Sequence, residues 1–187
     1  MPAKKIVYEK DVVEAALDII REKGENSLNA RDIAKKIGCS TQPLYSLYKN
    51  MAELEDAARQ AAARVLDEYM KNEMGKKAYP NPNKAIGMGY IRFASEEKNL
   101  YRFLFMRKRQ IDSAINVEMT KTSIGFIKDI YSVDSNSADM FFAELWIFCH
   151  GIASMVAADT LDFDEEKISS SLTDVALGLS LRFGQMK

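Results

Sequence analysis

The chain has 187 residues, enough for one or two domains with a real core, and its 47% hydrophobic and 28% charged content is ordinary for a globular protein. The two cysteines, Cys39 and Cys149, are far apart and fit no metal spacing. No apolar run reads as long enough to cross a bilayer, and Met1-Pro-Ala-Lys-Lys leads into no apolar signal segment, so a reducing cytoplasm without membrane association is expected. The net charge is −1, yet residues 1–50 carry nine Lys and Arg against seven Asp and Glu, which leaves the remainder acidic. That asymmetry is too mild to indicate a nucleic-acid partner by itself.

Strand signals are almost absent, and apolar residues recur at helical spacing. Val13, Ala16, Leu17 and Ile20 make one stripe, stopped by Gly24. A second helix spans about Ala30 to Ile37, with Ile33, Ala34 and Ile37 inward. Asn29 is placed to cap it, and Gly38 ends it. A third short helix starts at Ser40, with Pro43 in its first turn, where no intrahelical N–H is lost. A long helix follows from about Met51 to Met74, with Leu54, Ala58, Ala61, Val65 and Tyr69 inward. Gly75 and Tyr79-Pro-Asn-Pro-Asn break it. Five more helices are expected near 82–95, 98–107, 111–131, 137–159 and 164–184. The fold class is all-α, about nine helices in two parts, with the long fourth helix joining them.

The turn Gly38-Cys39-Ser40 between the second and third helices is the helix-turn-helix signature. On the third helix Leu44, Leu47 and Tyr48 form the buried face. Thr41, Gln42, Tyr45 and Ser46 point away, uncharged groups suited to base edges and phosphate oxygens. Lys4, Lys5, Arg31, Lys35, Lys36 and Lys49 supply positive charge around them. The same stripes could also belong to a plain helical bundle. The whole pattern decides between them: Ala16-Leu17, Gly24, Leu28-Asn29, Ile33-Ala34, Gly38-Cys39-Ser40, Leu44-Tyr45, Tyr48 and Leu54. It resembles the head of the TetR family of bacterial transcription regulators over about 45 residues. Asn29 stands where that family usually has a capping Thr, Cys39 where it has Val, and Met51 where it has a phosphate-touching Lys, for which Lys49 can substitute. The resemblance implies that Tyr45 contacts phosphate, that Arg31 contacts phosphate or a base edge, and that Thr41, Gln42 and Ser46 read sequence. With Lys5, Ser40 and Lys49, these are the candidate DNA contacts of a helix-turn-helix domain over residues 1–52.

The remainder, residues 53–187, resembles the C-terminal domain of the TetR subgroup with a Trp…His-Gly motif, here Trp146, His150 and Gly151. Tyr90-Ile-Arg-Phe-Ala and Asn99-Leu-Tyr-Arg-Phe-Leu-Phe-Met extend that likeness. It implies a ligand-binding and dimerisation domain. Tyr90, Phe93, Phe105, Met119, Phe142, Trp146 and His150 are the candidate ligand contacts, apolar with few polar anchors, although the same residues could simply be core. His150, the single histidine, shares a helix face with Trp146 and could equally be a structural group. On the last helix Ile168, Leu172, Val175, Leu179 and Phe183 run close to a heptad. With the all-round apolar helix near 137–158, they are expected to form a four-helix homodimer interface, the alternative being a monomeric core.

The expected function is a ligand-responsive regulator, a repressor released from a palindromic operator in duplex DNA by a largely apolar small molecule. Two half-sites would lie about one helical turn apart. One His, two lone Cys, no Glu-x-x-His pair and no Gly-rich phosphate loop leave an enzyme little chemistry, so no catalytic residue, metal or cofactor is expected. A helical protein–protein adaptor without DNA-binding activity is the alternative, but it leaves Thr41, Gln42 and Tyr45 unexplained.

Overall fold

The computed structural model describes residues 6–24, 26–106 and 117–184. Among them there is no strand, and the nine helices are α1 (Glu9–Lys23), α2 (Ala30–Ile37), α3 (Gln42–Leu47), α4 (Met51–Gly75), α5 (Pro82–Glu96), α6 (Lys98–Phe105), α7 (Val117–Tyr131), α8 (Ser135–Ala157) and α9 (Glu165–Gly184). The start expected for the seventh helix, at 111, lies outside the described residues. The third helix begins at Gln42 rather than Ser40, with Thr41 as its N-terminal boundary.

Packing divides the described chain into two compact units. One runs to Arg64 and resumes at Glu97 through α6; the other holds Val65–Glu96 and everything from 117 onward. The boundary expected at residue 52 is therefore not where packing divides the chain. The reason is α6. Its Leu100, Tyr101, Phe103 and Leu104 are buried in the first unit, and it packs on α1. Arg21 of α1 binds the Glu97 carboxylate through Nε and Nη2 at 2.9–3.1 Å, and the Asn99 amide donates to the Arg21 carbonyl. From α4, Arg59 Nη1 donates to the Phe103 carbonyl at 3.0 Å.

Local chemistry fixes the first three helices. The Asn29 side chain accepts the Asp32 N–H at 2.9 Å and so satisfies a free donor of the first turn of α2. Gly38 adopts φ 78°, ψ 41°, a left-handed conformation that costs glycine little. There the N–H groups of Gly38 and Cys39 both reach the Ala34 carbonyl at 2.9 Å, which closes α2 and turns the chain toward α3. Val12, Ala16, Ile20, Ile33, Leu44 and Leu54 are all buried.

In the second unit α5 is buried along nearly its whole length and meets α7, α8 and α9. Ile127, Ala138, Phe141, Leu179 and Phe183 form one apolar cluster. This corrects the expected dimer stripe. Ile168, Leu172, Leu179 and Phe183 are buried in the chain's own core and Val175 is half-buried, because α9 turns its most apolar face to α5 and α8. The residues that α8 and α9 leave exposed are different ones: Met140 (44%), Ile147 (63%) and Met155 (44%) on α8, and Leu177 (56%) and Leu181 (61%) on α9.

That double use also corrects the statement that no apolar run could cross a bilayer. By length and composition α8 could, with 23 residues and a mean hydropathy of 1.6 in its most apolar stretch, 39% of which is buried in the chain. One face of α8 supplies the core and another is apolar but outside it.

At Gly89 α5 approaches α4 closely. A Cβ there would lie 2.7 Å from the Met70 Cα and 2.8 Å from the Tyr69 carbonyl oxygen, so α4 and α5 touch backbone to backbone. Gly89→Ala gains a little helix propensity but must force two backbones apart. We expect it to lower stability by about 2 kcal/mol, read as a lower urea midpoint at unchanged slope.

Candidate functional site

The outer surface of the helix-turn-helix carries most of the predicted contacts. Leu44 and Tyr48 are buried and Leu47 is half-buried, so the opposite side of α3 is left to solvent. Ser40, Gln42, Tyr45 and Ser46 are exposed there, Thr41 is half-buried, and Tyr45 shows 53% of its surface. Arg31 on α2 and Lys49 just after α3 are exposed as well. Lys4 and Lys5 lie outside the described residues.

The basic groups of the head are not equivalent. Lys36 pairs with Glu22 and Asp18, and Lys23 donates to Asp32 at 2.6 Å. The Glu22 carboxylate holds the Lys36 ammonium above its ordinary pKa. The Lys23 hydrogen bond keeps Asp32 below the usual carboxylate range. Lys36 was expected among the charges available to a partner, and it is instead engaged inside the head. Arg31 and Lys35 have no carboxylate partner among the described residues, and the Lys49 backbone N–H donates to Glu53.

Of the seven predicted ligand contacts, three come together. Trp146 and His150, one turn apart on α8, stack with ring centroids 4.9 Å apart and planes 16° from parallel. The His150 Nδ1 lies 2.8 Å from the Tyr90 hydroxyl. The other four are described by other contacts or by burial alone. Phe93 is fully buried and meets Tyr69 edge-on at 5.6 Å, and Met119 is buried core. Phe142 packs against the cluster around Phe141. Phe105 belongs to the first unit, where it lies 4.9 Å from Tyr101. Arg92, weighed as an anchor for an acidic ligand, is committed to two carboxylates: its Nε reaches buried Glu73 at 3.1 Å and its Nη2 reaches Glu165 at 2.9 Å. Cys149 is buried, which pushes its thiol up to about 12 and leaves it an inert packing group.

Sequence reasoning missed a cavity of about 140 Å³ in the second unit, lined in part by Asn81, Asn83, Lys84 and Tyr131. None of the seven predicted ligand residues lines it. Three of its polar lining residues, Asn81, Asn83 and Lys84, come from the segment Tyr79-Pro-Asn-Pro-Asn-Lys, whose prolines read only as a break between helices.

The sequence matches no protein-family model and no curated protein. The structure, however, is similar to those of many transcriptional regulators. A TetR-like regulator from Rhodococcus sp. RHA1 aligns over 95% of this chain and 97% of its own, with a TM-score of 0.62 and 17% identity. A TetR-family member from Streptomyces coelicolor A3 aligns over 89% and 96%, with a TM-score of 0.66 and 14% identity. The transcriptional regulator FadR from Bacillus subtilis, in complex with stearoyl-CoA, aligns over 90% and 97%, with a TM-score of 0.58 and 16% identity. The chain has the all-α fold of the TetR-like transcriptional regulators.

Burial holds the His150 ring below its ordinary pKa of 6.5, so the folded state favours the neutral imidazole. As pH falls, the unfolded chain takes up that proton first. The stability contributed here is complete above the unfolded value and is lost as pH drops through it toward the lower folded value. We expect the urea midpoint to fall between about pH 7 and pH 5, and His150→Gln to flatten that part of the profile. A variant profile parallel to that of the parent would show that another group carries the dependence.

Proposed function

We propose that this chain is a DNA-binding transcriptional regulator that acts as a homodimer and responds to a small molecule, most simply as a repressor released from a palindromic operator. The observation that carries the reading is the exposed polar side of α3, Gln42, Tyr45 and Ser46, flanked by Arg31 and Lys49 on a fold shared with transcriptional regulators. Gln42 and Ser46, with Thr41 and Ser40, have the hydrogen-bonding capacity for base edges, and Arg31, Lys49 and the Tyr45 hydroxyl suit phosphates. Lys5 adds charge from the same end of the chain.

The dimer surface we assign to Met140, Ile147 and Met155 of α8 with Leu177 and Leu181 of α9. Met140, Ile147 and Met155 recur at near-helical spacing, so they lie along one side of α8. Exposed Gly151 and Gly178 leave room for close approach. Two copies would bury this apolar surface in a four-helix contact and bring two heads to two half-sites.

For the effector, the Tyr90–His150–Trp146 group combines two aromatic rings with a polar pair, a composition suited to a largely apolar ligand with one anchor. FadR, on the same fold, was crystallised with stearoyl-CoA, and an effector of comparable chemistry is compatible with the aromatic and Met content here. Regulation then requires that the ligand bind one head spacing better than another, since equal affinity shifts nothing.

Gel-shift assays against fragments from the protein's own genome test the central claim, and no retardation at low salt would reject it. With a bound fragment in hand, Arg31→Ala should weaken binding and lower the salt slope by about 1, whereas Lys36→Ala should change the slope little, its ammonium being paired within the head. Ile147→Glu combined with Leu177→Glu should give a monomer in sedimentation and a large loss of operator affinity. A variant that stays dimeric would move the interface elsewhere.

A further inference from the structure

We propose that the cavity between the first turn of α5, the end of α7, and helices α8 and α9 is a binding site for a small uncharged apolar molecule, the size of one aromatic ring with a short substituent. The cavity measures about 140 Å³, below the range of roughly 300–1,000 Å³ that holds drug-sized ligands. It is close to the size, about 150 Å³, at which a cavity lined by Leu, Ile and Phe takes up benzene or xenon. Close-packed interiors hold few voids larger than a water molecule, so a space of this size departs from ordinary packing.

The wall decides the chemistry. Phe141 and Leu145 of α8 and Leu172, Ala176 and Leu177 of α9 give it carbon surface. The polar side chains beside them are bonded to one another. Asn81 Nδ2 donates to the Tyr131 hydroxyl at 2.8 Å, and Asn81 Oδ1 accepts the Asn83 N–H at 2.9 Å. The Lys84 ammonium donates to the Thr173 hydroxyl at 2.7 Å, which itself donates to the Ser169 carbonyl at 3.0 Å. The amide nitrogen and oxygen of Asn83 are sealed within the protein and do not face open space. A water held in a cavity needs two to four polar partners. With these groups engaged with each other, an apolar occupant gains contact with the wall and gives up no hydrogen bond. An ionised one would surrender its hydration for a wall made mainly of carbon.

The cavity also has a way in. Leu177 lines it and shows 56% of its surface to solvent, whereas Phe141, on the same wall, is fully buried. The space therefore runs inward from an exposed leucine to the aromatic core around Phe141. Tyr90, Trp146 and His150 do not line it, so this site is distinct from the group assigned above to the effector.

The test is titration calorimetry and thermal unfolding of the full chain with toluene and with benzoate, together with a crystal of the full chain pressurised with xenon. No DNA is present, so the outcome is separate from that of the regulatory reading. We expect toluene to bind and raise Tm, and benzoate, which adds a charge to the same ring, to bind at least about tenfold more weakly. Xenon should appear against Phe141 and Leu172. Ala176→Leu puts added carbons into the same space and should abolish toluene binding, whereas Lys36→Ala, in the other unit, should leave it unchanged. The xenon crystal reads the parent chain and depends on no variant. Equal binding of toluene and benzoate, no binding of toluene, toluene binding that survives in a folded Ala176→Leu, or a crystal in which water or a side chain of a second copy fills the cavity would each overturn the proposal.

Discussion

The six residues of α3 contain too few intrahelical hydrogen bonds to hold a helix in water, so its place in the head is set by Leu44 and Tyr48 and the core beneath them. Burying a leucine is worth about 2 kcal/mol, more than a helix this short gains from its own backbone. The outward residues inherit their direction from that anchor. Because Leu44 points in, Tyr45 points out, and the polar surface of the head follows from apolar packing on its other side. α6 extends the same support, since its four buried side chains and the Arg21–Glu97 pair tie a later part of the chain to α1. An ion pair of this exposure contributes at most about 1 kcal/mol, so the apolar contacts of α6 matter more than its charge.

Charge tells a related story. The head has a small basic excess, and part of it is neutralised locally by Lys36–Glu22 and Lys23–Asp32. What remains is a few cations placed around a polar helix rather than a broad positive field. Phosphate attraction grows with the number of cations that meet phosphates, so one such head would grip DNA modestly. On the regulatory reading, affinity comes from joining two heads, and the apolar sides of α8 and α9 become as important to DNA binding as any residue on α3.

The sequence made some of this legible and concealed the rest, for identifiable reasons. Asn29, Gly38, Leu44 and Tyr48 act through contacts within a few residues of themselves, and the spacing shows them directly. The stripe Ile168–Phe183 is also visible as a stripe, but spacing cannot say whether a chain's own core or a second copy covers it. The core takes the most apolar side of α9, and the weaker series Leu177 and Leu181 is left outside. Aromatic content misled in the same way. Phe93 and Met119 fill the interior, while Trp146 and His150 are brought together by a one-turn offset that the sequence does show. Asn83 could not have been found in advance. Its burial comes from the packing of α5 against α7, α8 and α9, and nothing near it in the sequence records that.

The close approach at Gly89 and the unbonded amide of Asn83 lie on the same helix, and they use α5 in opposite ways. At Gly89 the absence of a side chain lets α5 meet α4 with no intervening space. At Asn83 a polar side chain stands where an apolar one would pack without loss. A buried helix optimised only for stability would carry a hydrophobic residue there, since α7, α8 and α9 offer Phe141, Leu145 and Leu172 around the same cavity. An amide in that position sacrifices stability.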